Sequence, residues 1–223
     1  MRIVLDLSRI VALIFDLDGV LIDSEELNIA AARAGFAAVG FPLAEDDVVS
    51  IVGRHPADYV PELMRRHQVP EAAFSKLRRV QEATYLERHA SVSPVPGAVA
   101  VLTGLHERGF RLAVATSSER TNTEQVLERI GVRSRLEFVL TRDDVPRRKP
   151  APDVYLLASD RFSLPPEGIL VVEDSSHGIE AARAAGLACV ALRSPHLSSE
   201  AAAAADHTVN SFDELKDLLD LPA

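Results

Sequence analysis

Ile10-Val11-Ala12-Leu13-Ile14-Phe15 is an unbroken apolar run that ends directly on Asp16-Leu17-Asp18-Gly19-Val20. A short run rich in β-branched residues, with no polar alternation, reads as a strand buried on both faces. Such a strand needs structure above and below it, which points to a covered parallel sheet. It also delivers two carboxylates at its carboxyl end, where open α/β sheets bind ligands. Acids carried out of a buried strand need neutralising, and a divalent cation does this with the oxygen ligands that carboxylates offer. Farther on, Asp23 and Glu26 have the spacing of a capping box, which predicts a helix start there. Alone, Asp-x-Asp-Gly is as readily a simple turn, since turns are rich in both residues.

After residue 95, strand-like and helix-like segments alternate. Strands are predicted over 110–115, 136–140, 169–172 and 187–192, and helices over about 120–130, 153–162 and 177–185. With the opening strand this is an α/β pattern, a doubly wound parallel five-stranded sheet. Thr208-Val209 and a helix from Phe212 to Leu219 are expected to finish the domain. Residues 24–93 break the rhythm with four helical segments and no strand. The first ends at Gly40-Phe41-Pro42 and the second at Gly53. Pro56 and Pro70 open the third and fourth, and Ser93-Pro94-Val95-Pro96-Gly97 reads as a stiff return linker. The expected organisation is an α/β core from 1–23 and 94–223, with an all-helical module of 24–93 inserted beside the acidic loop, where a lid would sit.

The formal net charge of -9 argues against a nucleic-acid or anionic-membrane partner, because phosphate backbones select positive surface. No apolar stretch approaches membrane-spanning length and no signal-peptide pattern is present, so a cytoplasmic location is expected. Cys189, the single cysteine, lies in the apolar run Leu187 to Leu192 and reads as a core residue. Lysine occurs only at positions 76, 149 and 216, against 21 arginines, which makes each lysine worth locating.

Three later stretches fall at the carboxyl ends of predicted strands: Thr116-Ser117-Ser118, Lys149-Pro150-Ala151-Pro152-Asp153 and Glu173-Asp174-Ser175. Separately they read as a helix cap, a solvated charge and an acid pair at a helix start. Together with Asp16 and Asp18 they bring acids, hydroxyls and a lysine to one edge of one sheet. In this order the four stretches resemble the motifs of the haloacid dehalogenase superfamily, and the insert resembles its small helical cap. The likeness covers nearly the whole chain. It is strongest toward the branch holding β-phosphoglucomutase and small phosphosugar or phosphoglycolate phosphatases.

The resemblance implies a Mg2+-dependent enzyme acting on a small phosphorylated metabolite. Asp16 would be the nucleophile that forms an aspartyl-phosphate, and Asp18 the general acid and base. Asp16, Asp18 (also through its backbone carbonyl), Asp174 and Glu173 would form the metal site, with Glu173 ligating or orienting. Thr116, Ser117 and Lys149 would hold phosphoryl oxygens, Lys149 also screening Asp16 from its acidic neighbours. In the insert, Gly53 and Arg54 are the expected substrate contacts, with Arg54 gripping a second anionic group. The histidines at 67 and 89 read as surface residues.

Hydrolysis is favoured over mutase activity. Asn28 stands where mutases carry a histidine in the first cap helix, and no cap lysine aligns cleanly with the mutase's sugar-binding one. Motif order and the helical insert argue against a response-regulator-like signalling module, and the intact constellation against a silent binding protein. Oligomeric state is not readable from the sequence, and a monomer is compatible with it.

Overall fold

The opening apolar run forms β1 (Ala12–Phe15), one of the two central strands of a parallel sheet. The computed structural model describes residues 6–52, 54, 56–89, 92–194 and 197–220. After β1 come the helices α1 (Glu25–Ala38), α2 (Glu45–Ile51), α3 (Pro56–Arg66), α4 (Phe74–His89) and α5 (Ala98–Glu107). Then follow β2 (Arg111–Ala115), α6 (Arg120–Arg129), β3 (Phe138–Leu140), α7 (Asp153–Phe162) and β4 (Ile169–Glu173). The chain ends with α8 (Ser176–Ala184), β5 (Ala188–Leu192), α9 (Ser199–Ala202), β6 (His207–Val209) and α10 (Phe212–Leu218). It divides into two compact units, Met1–Asp23 with Ser93–Ala223, and Ser24–Val92.

In the first unit the strand order is β3-β2-β1-β4-β5-β6, every neighbouring pair parallel. The α/β class therefore holds, but among the described residues the sheet has six strands, not five. The added strand, β6, is a three-residue edge in which only Val209 is buried, so it lacks the apolar run that marks an interior strand. β1 also starts later than the run suggests. Val11, at its amino end, is 45% exposed.

Register decides where the motifs emerge. Phe15 lies opposite Val114 on one side and Val172 on the other, so β1, β2 and β4 end at one level. The chain passes from β1 toward β2 and β3, then returns to β4 on the other side of β1. The β1/β4 boundary is thus the switch point where neighbouring loops diverge and leave a crevice. On one face Ile14, Ala113, Val171 and Cys189 pack with Tyr155, Ala158 and Phe162 of α7, and Cys189 is the core residue expected. Leu13, Phe15, Val114 and Val172 alternate with that set along the same strands and are also fully buried. Covering both faces removes polar alternation, which accounts for the apolar strands.

The chain leaves and re-enters this unit as a paired stem. Asp23 N–H donates to the Ser93 carbonyl at 3.0 Å and Val95 N–H to the Leu21 carbonyl at 3.0 Å.

Among the described residues the second unit is all helical, packed around Phe36, Ile51, Tyr59, Val60, Leu63 and Leu77. Gly35 permits the close approach of α1 and α4, since a Cβ there would stand 2.9 Å from the Leu77 carbonyl oxygen. The expected capping box at Asp23 and Glu26 does not form. α1 begins at Glu25 with Ser24 as its N-cap, and no side chain caps it. His67, read as a surface residue, is instead a partner of the buried Asp47, with Nε2 2.9 Å from Oδ1. Burial works against the Asp47 carboxylate, but His67, the Ala44 amide and Arg66 outweigh it and hold the carboxyl below its ordinary range. Among the described residues no helix is long and apolar enough to cross a membrane.

Candidate active site

Asp16 continues the β1 ladder by one bond, its N–H donating to the Val172 carbonyl at 3.0 Å, and its side chain is buried where the sheet ends. The backbone then turns sharply. Leu21 N–H and Ile22 N–H both donate to the Leu17 carbonyl, and Gly19 N–H donates to that of Ile22 at 2.8 Å. Two things require glycine at 19: its φ of +77°, and Asp174 Oδ2, which would lie 2.0 Å from a Cβ. The turn aims Asp18 toward the end of β2, where its Oδ2 accepts from the Ser118 hydroxyl at 2.6 Å. Ser118 is fixed in turn, its N–H donating to Thr116 Oγ1 at 3.0 Å. Ser117 lies between them on the same loop.

Lys149 organises the rest. Its ammonium donates to Asp16 Oδ1 at 2.6 Å, Glu173 Oε1 at 2.6 Å and the Ala115 carbonyl at 2.8 Å. An ammonium has three protons, so all are engaged. Contact between Lys149 and a phosphoryl oxygen therefore requires exchange of one of these partners. Glu173 is equally full. Its Oε1 also accepts from the Tyr155 hydroxyl at 2.7 Å, and its Oε2 from the amides of Asp174 and Ser175 and from the Ser175 hydroxyl.

The charges do not balance. Asp16, Asp18, Glu173 and Asp174 surround a single ammonium. Burial pushes the Asp16 carboxyl up to about 8, Glu173 and Asp18 adding to the rise and Lys149 opposing it. Burial likewise holds Asp174 well above its ordinary range, with Glu173, Asp16 and Asp18 contributing. Burial alone would lower Lys149, but Asp16 and Glu173 outweigh it and keep the ammonium charged. Such a cluster calls for a further cation. Carboxylate oxygens of Asp16, Glu173 and Asp174 lie within 4.8 Å of one another, and they are the hard donors that Mg2+ selects. The residues fit the metal. Because both oxygens of Glu173 are already occupied, Asp16 and Asp174 are the better ligands. The Asp18 carboxylate lies outside this set and accepts from the Ser118 hydroxyl.

The structure thus brings together Asp16, Asp18, Thr116, Lys149, Glu173 and Asp174, which are far apart in sequence. Gly53 lies outside the described residues. Arg54 belongs to the helical unit, where it donates to Glu62 Oε2 at 2.6 Å and to the Ser50 carbonyl at 3.1 Å. Sequence reasoning missed Ser118, Ser175 and Tyr155. The two serines sat inside stretches already singled out, but Tyr155 carried no signal beyond being an apolar-face residue of a helix.

A family model described as haloacid dehalogenase-like hydrolase matches residues 13–192. The chain is 35% identical to the validoxylamine A 7'-phosphate phosphatase of Streptomyces hygroscopicus subsp. limoneus, over 91% of this chain and 94% of that one. It is 32% identical to the fructose-1-phosphate phosphatase YqaB of Escherichia coli, over 83% of this chain and 97% of that one. Among solved structures, CbbY from Rhodobacter sphaeroides in complex with phosphate is 30% identical with a TM-score of 0.75, covering 95% of this chain and 100% of that chain. A 29% identical match covers 84% of this chain but spans only 18% of Protein SUPPRESSOR OF QUENCHING 1, chloroplastic, of Arabidopsis thaliana.

Proposed function

The chain belongs to the haloacid dehalogenase-like hydrolase family and is a phosphoric monoester hydrolase; from that premise we propose that it is a Mg2+-dependent phosphatase of a sugar phosphate or sugar-acid phosphate, working through an aspartyl-phosphate. The observation that carries this reading is the Lys149 ammonium bridging Asp16 and Glu173 beside Asp174. The phosphosugar phosphatases among the relatives support the substrate class.

Asp16 attacks phosphorus, and the bond to the leaving alcohol oxygen breaks as Asp18 gives it a proton. Asp18 then takes a proton from water, which attacks the aspartyl-phosphate and frees inorganic phosphate and Asp16. The Ser118 hydroxyl keeps Asp18 in one orientation through both halves. Thr116 Oγ1 accepts the Ser118 amide, which leaves its own O–H to donate to a phosphoryl oxygen beside the Ser117 amide. Mg2+ held by Asp16 and Asp174 would neutralise charge on the equatorial oxygens. Lys149 opposes the rise that burial imposes on the Asp16 carboxyl, and Glu173 keeps Lys149 in place.

The test is a screen of phosphorylated metabolites for phosphate release with Mg2+ and with EDTA, beside an assay for β-glucose-1-phosphate isomerisation. Metal-dependent phosphate release is expected. Conversion to glucose-6-phosphate without free phosphate would instead make the protein a mutase. Gly19→Ala should displace Asp174 and raise the Mg2+ concentration for half-maximal turnover roughly 10-fold or more. An unchanged Mg2+ requirement would remove Asp174 from the ligand set. Arg54 is assigned a second anionic group of the substrate. Arg54→Ala should cost doubly anionic substrates about 10-fold or more in kcat/KM and spare singly anionic ones, on the scale of a charge-assisted hydrogen bond. Equal losses on both would leave Arg54 as a partner of Glu62 and Ser50 within the helical unit.

A further inference from the structure

We propose that Tyr155 is a positioning residue for phosphoryl transfer: its hydroxyl and ring together hold Glu173 and Lys149 where Asp16 needs them. This role rests on the phosphatase reading above. Tyr155 is fully buried in α7, two residues into a helix that follows Lys149 closely. Its O–H donates to Glu173 Oε1 at 2.7 Å, and Lys149 Nζ sits 4.8 Å from its ring centroid. One side chain therefore touches both members of the pair that supports the nucleophile, and each contact has a distinct physical origin.

The hydrogen-bond count explains why the hydroxyl matters. Glu173 Oε1 has two lone pairs, filled by Lys149 and Tyr155, while Oε2 is filled by the Asp174–Ser175 backbone and the Ser175 hydroxyl. Thus saturated, Glu173 cannot turn toward the metal ligands nearby, and it serves Lys149 as a fixed brace. Gly178 leaves room for this arrangement only because it lacks a side chain, as a Cβ there would meet Oε1 at 1.8 Å. Without the Tyr155 hydroxyl, Oε1 regains a free lone pair in a carboxylate that already has one oxygen within 4.8 Å of ligand atoms of Asp16 and Asp174. The brace then competes for the cation, and Lys149 loses the partner that aims it at Asp16. A tyrosine serving only to fill the core would be replaced by phenylalanine without consequence, because ring and packing stay.

Tyr155→Phe should therefore lower kcat roughly 10- to 100-fold, the range for partners that orient a site from outside it, with KM within about 2-fold. Tyr155→Phe combined with Glu173→Gln should be no slower than Glu173→Gln alone, since both changes break the same brace. A second readout needs no turnover. With only three lysines in the chain, 15N-lysine labelling gives few ammonium signals, and that of Lys149 should exchange slowly with water. Tyr155→Phe should speed its exchange without lowering the thermal midpoint by more than a few degrees.

Wild-type kcat together with wild-type lysine exchange in Tyr155→Phe would overturn the proposal. So would losses that simply add in the double variant. If Tyr155→Phe does not fold, the lysine spectrum of Glu173→Gln decides, and slow exchange retained there would overturn it. Should the wild-type protein release no phosphate from any substrate, the phosphatase reading fails, while the lysine spectra still judge the brace.

Discussion

Asp16→Asn is expected to abolish turnover, by roughly 10^4-fold or more, the scale on which loss of a covalent nucleophile is felt. Asparagine keeps the size of the side chain and an oxygen that can accept from Lys149, so the site keeps its shape. The amide cannot attack phosphorus, and no acid-stable phosphoenzyme should be recovered from a quenched reaction with labelled substrate. The folded protein should be no less stable, because one of four crowded carboxylates is gone. Near-wild-type turnover, or phosphoenzyme persisting in Asp16→Asn, would move the nucleophile to another residue.

Lys149→Met should have the largest effect on stability. It removes the one ammonium from a buried group whose partners, Asp16 and Glu173, stay behind at 2.6 Å from where it stood. Leaving a buried charge without its partner costs about 3–5 kcal/mol. For a chain of this size that is a fall of about 6–20 °C in the thermal midpoint, measured in EDTA. The pH dependence has a definite sign. In the folded, metal-free protein Asp16 titrates at about 8 against an ordinary 3.8, so the folded state binds the proton more tightly than the unfolded chain. Its contribution is full below about pH 4 and is lost as pH rises toward 8. Below about pH 7 both wild type and Lys149→Met hold Asp16 protonated, so the deficit of Lys149→Met should be flat there and widen as pH rises past about 8, where only wild type ionises Asp16 beside an ammonium. A thermal midpoint equal to wild type at neutral pH would mean that Lys149 does not neutralise this cluster.

Much of the site was readable because its signals are local. A strand buried on both faces must be apolar throughout, so β1, β2 and β4 stand out from composition, and the polar residues at their carboxyl ends mark where they stop. Asp16, Thr116 and Glu173 were located in this way, and Lys149 by the loop that follows β3. Other features carry no such mark. β6 is three residues at an exposed edge, where burial imposes no pattern. The helix cap expected at Asp23 failed because the chain at 21–23 pairs with the returning segment 93–95, a contact between residues about 70 positions apart. His67 read as a surface residue, and only the packing of the helical unit brings Asp47 to it.

The order of strands, helices and acidic loops follows from the sequence, since hydrophobic periodicity and turn chemistry act between near neighbours. It follows too that the four motif stretches end on one edge, because a parallel sheet puts every strand's carboxyl end on the same side. Which atoms touch was decided by the tertiary structure alone. That Lys149 has no proton left over, that Glu173 is filled on both oxygens and that Tyr155 stands beneath them depend on the level at which β1, β2 and β4 stop and on where α7 packs. Hydrogen bonds are set by tenths of an ångström between distant segments, and such distances leave no trace in the order of residues.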